Sequence, residues 1–228
     1  MEKLVVCILN KNDGKNLNLN KEKIKNLSEK FEIILVDSNS TDISHAIAKE
    51  IDLKILNVNN LSRGEAIKEC VMKYKKNYDY IIFTSSDGEE DLDDLPNFMP
   101  LFDKGADMVI ASRLAKGGYF KSDVNLLWIH RKLYLILITF LINKIFKGSV
   151  SDCWNGYRGF RLKCFEKIDI LEKDYLVEAE TTIKFLKNNF LICEFPTKEN
   201  PRKFGKSSNK IIKSGIGHLT LILKNIFN

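Results

Sequence analysis

Short apolar runs typical of buried strands alternate along the chain with segments of helical periodicity, and this alternation constrains the fold most. Several runs are continuous in Val, Ile and Leu, as in strands covered on both faces. Between them, apolar residues recur three or four positions apart, as in amphipathic helices. We predict strands at residues 4–9, 32–37, 53–58, 80–85, 107–112 and 190–195. The alternation predicts an α/β protein with a doubly wound, mostly parallel sheet.

The pattern along the chain indicates one domain followed by a basic tail. Its 228 residues suffice for a single sizeable core, and no repeat or low-complexity linker divides them. Residues 198–228 carry seven basic side chains and one acidic side chain, which accounts for the whole net charge of +6. We therefore predict a folded domain over 1–197 and a basic loop with a helix over 198–228, and we expect anionic partners to meet the tail.

The helical pattern in the tail fits two roles. One apolar stripe is formed by Ile212, Ile216, Leu219, Leu223 and Ile226, with lysines in and before the first turns. An apolar stripe is typical of a helix docked on a core, whereas a stripe combined with lysines is typical of a helix on a membrane surface. Both interpretations stay open. A nucleic-acid partner is disfavoured, because no basic motif with interleaved aromatic residues occurs.

No signal peptide, membrane span or disulfide framework is predicted from the sequence, and this favours a cytosolic location. The first apolar run is too short for a signal peptide, and the longest apolar stretch, 133–142, is too short to cross a bilayer. The five cysteines lack Cys-x-x-Cys spacing, so neither a disulfide framework nor a structural zinc site is predicted.

An acidic run follows the apolar strand predicted at 80–85. Ligands of an open parallel sheet bind outside the carboxyl ends of its strands, which is where this run falls. Carboxylate oxygens at short spacing suit Mg²⁺ or Mn²⁺ bridging a diphosphate. We take Asp87 and Glu89 as candidate metal ligands, with Gly88 permitting a tight turn between them.

A second polar segment, 36–42, closes the strand predicted at 32–37. Asp37 can accept hydrogen bonds from a base or a ribose hydroxyl, and Ser40 and Thr41 can open the following helix. Taken alone, this segment is better explained as an ordinary capping turn.

A series of segments carries a family resemblance. They are Asn12-Asp13, 36–42, Arg63-Gly64-Glu65-Ala66, 85–89, Ala111-Ser112-Arg113 with Gly117-Gly118, 152–161, Glu178-Ala179-Glu180, and Arg202 with Gly205-Lys206-Ser207. In this order they resemble the motifs of family 2 glycosyltransferases with a glycosyltransferase A fold. The resemblance is closer to polyprenyl-phosphate sugar transferases of the dolichyl-phosphate mannosyltransferase type, and it covers nearly the whole chain.

Three positions depart from that pattern. Leu9 replaces a proline of the first strand, and Ser38 replaces the second acid of Val-Asp-Asp. Ser85 replaces the first acid of Asp-x-Asp, and serine is an uncharged, poorer metal ligand. Metal binding then depends on Asp87 and on Glu89, which can restore the lost charge; a metal-independent site is the alternative.

The resemblance implies transfer of a hexose from a UDP- or GDP-sugar to a polyprenyl or dolichyl phosphate, with inversion and with Mg²⁺ or Mn²⁺. It implies a glycosyltransferase A-type catalytic domain over 1–197. The donor-binding candidates are Asn12, Asp37, Ser40, Arg63, Ser85, Ser86, Asp87, Arg202 and Lys206. The catalytic candidates are Asp87, Arg113, Arg131 and Asp152, of which the two arginines would bind the acceptor phosphate.

A phosphate acceptor needs no strong general base, since its second pKa of about 6 leaves it nucleophilic at neutral pH. We therefore expect His45, His130 and His218 to be structural or surface groups. Asp152 is a candidate base that can instead orient Arg158 or the acceptor. A lipid-linked acceptor implies a peripheral protein on the cytoplasmic face of a membrane, acting alone or with a separate membrane partner.

Two other functions remain open at this stage. A glycosyltransferase acting on a non-lipid hydroxyl would need a carboxylate base, for which Asp152 and Glu178 are available. A pseudoenzyme that binds sugar nucleotides without turnover would explain Ser85.

Overall fold

The computed structural model describes residues 3–59, 61–120, 126–205 and 211–227, and only the backbone of 126–128 and 211–215. The strands are β1 (Leu4–Asn10), β2 (Glu32–Asp37), β3 (Lys54–Asn57), β4 (Tyr80–Ser85), β5 (Met108–Ser112), β6 (Arg158–Arg161) and β7 (Ile192–Pro196). The helices are α1 (Gly14–Ser28), α2 (Ser44–Glu50), α3 (Arg63–Tyr74), α4 (Met99–Asp103), α5 (Leu126–Phe146), α6 (Leu162–Phe165), α7 (Val177–Lys187) and α8 (Ile211–Phe227), with a 3-10 helix at Leu92–Asn97.

One sheet in the order β3-β2-β1-β4-β6-β5-β7 organises these elements. Strand β6 runs antiparallel to both β4 and β5, whereas the other neighbours pair in parallel. The predicted mostly parallel sheet and its six predicted strands are confirmed, with shifts of one or two residues at their ends. Strand β6 was not predicted, because Arg-Gly-Phe-Arg is neither apolar nor alternating.

Alternate residues of each buried strand enter two hydrophobic cores, one on each face of the sheet. On β1, for example, Val5 and Cys7 belong to the core under α3, α5, α7 and α8, and Val6 and Ile8 belong to the core under α1, α2 and α4. Since strand side chains alternate between faces, a sheet covered on both sides requires continuous apolar strands. The doubly wound arrangement is therefore confirmed.

Helix α8 confirms the predicted C-terminal helix, and the face that it buries is not the predicted apolar stripe. It packs against α5 and α7 through His218, Leu221, Ile222 and Asn225. The predicted stripe is on the outside, where Ile216 is 72% exposed, and Leu219, Leu223 and Ile226 are exposed as well. The side chain of Ile212 lies outside the described residues. The helix is thus docked on the core while a second apolar face remains at the surface.

Helix α5 exposes apolar side chains in the same way. Leu133, Ile136, Leu137 and Phe140 are each about half exposed. We call these four residues, together with Ile216, Leu219, Leu223 and Ile226 of α8, the apolar surface. In the part of the chain that the structure describes, no helix combines the length and apolar character that a bilayer crossing requires.

Candidate active site

A polar cavity of about 110 Å³ lies at the carboxyl ends of the central strands. Its lining consists of Arg63, Ser85, Asp87, Glu89, Glu90, Arg113, Arg131, Trp154, Asn155, Gly156, Tyr175, Glu178, Thr197, Lys198, Glu199 and Arg202. These residues come from the end of β4, from the turns after β4 and β5, from helices α3, α5 and α7, and from the segments that precede β6 and α7 and follow β7. The fold therefore gathers residues from most of the chain at the sheet edge where ligands of open α/β sheets bind.

The acidic turn after β4 faces Arg202. Gly88 adopts a positive φ of 77°, and this lets the turn reverse between Asp87 and Glu89. The guanidinium of Arg202 pairs with Asp87 and lies 3.5 Å from Glu89 Oε1 and 3.7 Å from Asp13 Oδ2. Although burial opposes the charge, these carboxylates raise the pKa of Arg202 above its ordinary value. Three acidic residues thus converge on one cation.

Glu90 forms hydrogen bonds at the end of β4, where Ser85 departs from the family pattern. Its Oε2 accepts hydrogen bonds from the Ser85 backbone N–H at 2.5 Å and from Thr84 Oγ1 at 2.6 Å. Burial of this carboxyl and the charge of nearby Asp87 raise the pKa of Glu90 to about 7. Ser85 lacks the carboxylate of the family pattern, but the carboxyl group of Glu90 is hydrogen-bonded to its backbone. Glu90 was not predicted as a site residue.

Arg63 connects α3 to the cavity. It is the first residue of α3, directly after Ser62, which forms a capping box with Glu65. Its Nε donates to Glu178 Oε1 at 2.5 Å, and its Nη1 lies 3.4 Å from Ser85 Oγ. The pair with Glu178 fixes the guanidinium beside the turn after β4 and leaves Glu178 as the partner of a cation.

Arg113 and Asp152 form a buried ion pair beside the cavity. Asp152 accepts from Arg113 Nε at 2.8 Å and from Nη2 at 3.1 Å, and Arg113 Nη1 donates to Glu199 at 3.0 Å. Although burial opposes ionisation, Arg113 and the backbone N–H of Trp154 hold the pKa of Asp152 below its ordinary value. These bonds use three of the five guanidinium N–H groups of Arg113. Asp152 thus orients Arg113, whereas Arg158 bonds elsewhere, to the carbonyls of Asn155 and Glu178.

Arg131 of α5 lies among aromatic rings. Its guanidinium is 5.3 Å from the centroid of Phe120 and 5.9 Å from that of Trp154. Phe120 also lies 4.8 Å from the guanidinium of Arg113, so one ring contacts both predicted acceptor arginines. Burial lowers the pKa of Arg131 from its ordinary value. Two arginines therefore reach the cavity from the same side.

Comparison with known proteins gives the family. Residues 4–169, most of the chain, match the model of glycosyl transferase family 2. The chain belongs to this family. It is 24% identical over 218 residues to polyprenol monophosphomannose synthase of Mycolicibacterium smegmatis, a match that covers 90% of this chain and 80% of that protein.

Solved structures confirm the glycosyltransferase A fold. Glucosyl-3-phosphoglycerate synthase from Mycobacterium tuberculosis, in complex with Mn²⁺, UDP and glucosyl-3-phosphoglycerate, superposes with a TM-score of 0.74 at 16% identity. The same enzyme with Mg²⁺ and UDP gives a TM-score of 0.73 at 15% identity. Each match covers 99% of this chain and 80% of that one. The family and fold make this protein a glycosyltransferase, so the pseudoenzyme interpretation is set aside.

The cavity of this family 2 glycosyltransferase brings together part of the predicted site. Arg63, Ser85, Asp87, Glu89, Arg113, Arg131 and Arg202 line it, and Asp152 lies directly behind Arg113. Lys198, Glu199 and Arg202 follow the predicted boundary at residue 197 and line the same cavity. That boundary stays a prediction.

Four predicted donor residues do not line the cavity: Asn12, Asp37, Ser40 and Ser86. Asp37 is fully buried and receives hydrogen bonds from Asn10 Nδ2 and from the backbone and side chain of Ser40. Asn12 accepts from the backbone N–H of Thr41. These groups hold the ends of β1 and β2 together, and their role toward the donor stays a prediction. Lys206 lies outside the described residues.

Several residues of the cavity were not predicted from the sequence. Glu90, Trp154, Tyr175, Thr197 and Glu199 line the cavity without having been singled out. Glu199 was counted only as the single acid of the tail. The available signal was its position three residues before Arg202, where a resembling segment begins, but its partner Arg113 is 86 residues away in sequence.

The acidic turn suits a metal ion that shares its ligands with a diphosphate. Asp87 and Glu89 approach the same guanidinium, so their oxygens point toward a common region. No group of three His, Cys, Asp or Glu side chains able to hold a metal occurs among the described residues. Mg²⁺ typically takes one or two carboxylates and completes its shell with substrate phosphates and water. The donor set present here fits that requirement.

A second cavity, of about 400 Å³, lies between α5 and the segment after β5. Arg113 lines it as well as the first cavity. Ile136 and Phe140, which belong to the apolar surface, form part of its wall together with Leu114 and Val150. A cationic end thus adjoins an apolar wall that reaches the molecular surface.

Proposed function

We propose that this glycosyltransferase transfers a hexose from a nucleoside diphosphate sugar to a polyprenyl or dolichyl phosphate, with inversion at the anomeric carbon. The observation that carries the proposal is the position of Arg113, which lines both the polar cavity and the second, partly apolar cavity. A phosphate with an apolar chain needs this combination of a cation and an apolar wall. The similarity to a polyprenol monophosphomannose synthase supports the same acceptor class.

The first cavity is the proposed donor site. Asp87 and Glu89 would hold Mg²⁺ or Mn²⁺, and Arg63 and Arg202 would contact the phosphates of the donor. When bound, such an ion neutralises charge that develops on the leaving diphosphate. The related structures that contain UDP with Mn²⁺ or Mg²⁺ support a UDP-sugar, while a GDP-sugar remains the other donor to test.

Arg113 and Arg131, which contact the same ring of Phe120, form the proposed acceptor site. Arg113 has two guanidinium N–H groups beyond those bonded to Asp152 and Glu199, and Arg131 lies on the same ring. Together they would orient a phosphate monoester that is already nucleophilic at neutral pH. No base is then needed, and Asp152 acts by holding Arg113.

We further propose that the protein acts as a peripheral protein on the cytoplasmic face of a membrane, alone or with a separate membrane partner. The apolar surface provides contact with the lipid, and exposed lysines such as Lys144, Lys147 and Lys224 lie on or next to the same two helices. A lysine near an anionic leaflet contributes about 1 kcal/mol. Several lysines and apolar side chains acting together suffice for reversible binding.

The proposal is tested by product analysis with purified protein. A short-chain polyprenyl phosphate is incubated with a panel of UDP- and GDP-hexoses, and each mixture contains Mg²⁺, Mn²⁺ or EDTA. We expect one donor to give a polyprenyl-phosphate hexose of inverted configuration, in a reaction that EDTA abolishes. Asp87→Ala and Arg113→Ala should each lower kcat/KM by at least about a hundredfold, the loss typical of a key electrostatic contact.

Lys116→Ala provides the matched control, since Lys116 is an exposed cation close to Arg113 in sequence. It should retain nearly full activity. Transfer to a water-soluble acceptor, with no product on any polyprenyl phosphate, would overturn the proposal and favour a non-lipid acceptor such as the phosphoglycerate of the structural relatives.

A further inference from the structure

Helix α8 contributes a histidine to the interior of the protein directly behind the proposed acceptor site. His218 is 1% exposed and lies on the docked face of α8, beside Leu221 and Ile222. Unlike an aliphatic side chain at this position, a planar imidazole can make directional contacts with neighbouring rings.

The ring of His218 packs into an aromatic cluster. Its centroid lies 5.0 Å from that of Trp154, with the two planes at 73°, and 5.9 Å from that of Tyr134, at 71°. Trp154 and Tyr134 meet edge to face at 6.0 Å. Edge-to-face contacts between rings are directional, so this cluster fixes the orientation of the indole.

The same indole contacts the cavity. Trp154 lines it, and the guanidinium of Arg131 lies 5.9 Å from the Trp154 centroid. A guanidinium near an aromatic face is attracted to the electrons of the ring. A continuous series of contacts thus runs from His218 through Trp154 to Arg131, and it joins the helix that carries half of the apolar surface to a proposed acceptor residue.

We propose that His218 is a positioning residue for the acceptor: its ring fixes Trp154, and Trp154 holds the guanidinium of Arg131 toward the cavity. The inference rests on the proposed function in one respect, the role of Arg131 in binding the acceptor phosphate. It assigns to α8 a part in the active site in addition to its place at the surface.

The test measures acceptor binding directly. In a Trp128→Phe background Trp154 is the one remaining tryptophan, so its emission reports on its own surroundings. Two probes are titrated: a water-soluble short-chain isoprenyl phosphate, and inorganic phosphate. His218→Leu, which keeps an apolar side chain without a ring, should raise the Kd of the isoprenyl phosphate about tenfold, while His218→Phe should stay within about threefold of the parent.

A double-mutant cycle separates positioning from a general loss of structure. If His218 acts through Arg131, His218→Leu has no further effect on phosphate affinity in an Arg131→Ala protein. Donor binding and the melting temperature should change little, and His130→Ala, which alters an exposed histidine next to Arg131 in sequence, should leave both Kd values unchanged. Additive losses, or equal losses of donor and acceptor affinity, would overturn the positioning role.

The two probes also separate this inference from the proposed function. Arg131-dependent binding of inorganic phosphate without any binding of the isoprenyl phosphate would refute the lipid acceptor. The double-mutant cycle would then use the Kd of inorganic phosphate to test the positioning role of His218. If neither probe binds in an Arg131-dependent manner, the positioning role is refuted. Should His218→Leu fail to fold, Trp154→Leu replaces it in the cycle with the same expected non-additivity. Because that variant lacks the fluorescent reporter, isothermal titration calorimetry then measures the binding of both probes.

Discussion

At the scale of single residues, Asp37 shows how a buried carboxylate becomes a structural element. It is fully buried and accepts from Asn10 Nδ2 at 2.7 Å and from Ser40 Oγ at 2.6 Å, and His45 Nε2 lies 2.8 Å away. Burial alone would favour the protonated form, but the hydrogen bonds from Ser40, Asn10 and His45 hold the pKa of Asp37 below its ordinary value. The ionised form is therefore stabilised in the folded state.

Replacing Asp37 by Asn should lower the free energy of unfolding by about 1–3 kcal/mol near neutral pH, since a charged acceptor is lost from a buried network. A carboxyl with a lowered folded-state pKa stabilises the protein above its unfolded pKa and ceases to do so as pH falls through the folded value. The difference between parent and variant should therefore shrink as pH falls below the ordinary pKa of 3.8. Urea unfolding at several pH values measures this, with exposed Asp103→Asn as control. A difference that does not depend on pH would contradict the assignment.

The guanidinium of Arg63 leaves no room for a side chain at Gly156. A Cβ at this position would lie 2.0 Å from Arg63 Nη2, and Arg63 is already held by Glu178. Gly156→Ala should displace the guanidinium and raise the KM for the sugar nucleotide about tenfold, the effect of losing one charged contact.

Gly105→Ala is the matched control, because Gly105 has a positive φ of 95° but open space around its Cβ position. It should cost stability through backbone strain without changing the KM for the donor. Equal effects of the two substitutions on KM would refute a specific role for Gly156. Steady-state kinetics together with thermal melts distinguish the cases.

At the scale of elements, the segment after β7 places Arg202 on the carboxylates proposed to hold the metal. Asp13, Asp87 and Glu89 all lie near this one guanidinium. Removing the cation leaves the carboxylates more attractive to a divalent ion. Arg202→Gln should therefore tighten Mn²⁺ binding in the absence of nucleotide about tenfold, a change of about 1.4 kcal/mol, while it lowers the rate of sugar transfer.

Titration of free Mn²⁺ by electron paramagnetic resonance gives this affinity without any substrate. Lys203→Gln, an equal change of charge at an exposed neighbour, should have a much smaller effect. Unchanged or weaker Mn²⁺ binding in the Arg202 variant would show that Arg202 and the metal do not compete.

The elements also show which features sequence patterns can predict. Continuous apolar runs identified six strands because the sheet is covered on both faces. The same reasoning failed for β6, where Arg158 bonds to the carbonyls of Asn155 and Glu178 and Arg161 pairs with Asp107. In α8 apolar residues occur on two faces, so periodicity could not tell that His218, Leu221 and Ile222 would be buried and Ile216 exposed.

At the scale of the whole molecule, the site depends on contacts between distant parts of the chain. The backbones of Glu90 and Glu199 form an isolated antiparallel β-bridge, and the backbone N–H of Asn200 donates to the carbonyl oxygen of Glu89 at 2.7 Å. These contacts hold the segment after β7 against the acidic turn. The sequence could predict that Asp87, Arg113 and Arg202 belong to one site, because each lies in a resembling motif, and the resemblance also implied that Arg131 binds the acceptor phosphate. It could not predict the ion pairs among them, since these depend on side-chain directions set by the folded sheet.

A comparison of two acceptors tests whether the protein uses a lipid-linked phosphate. The kcat/KM for a short-chain polyprenyl phosphate in vesicles containing anionic lipid is measured beside that for 3-phosphoglycerate, with the same donor and metal. We predict a preference for the lipid acceptor of about a hundredfold or more, since burying three or four CH₂ groups contributes that much. Equal use of the two acceptors, or a preference for the water-soluble phosphate, would refute a lipid phosphate as the acceptor.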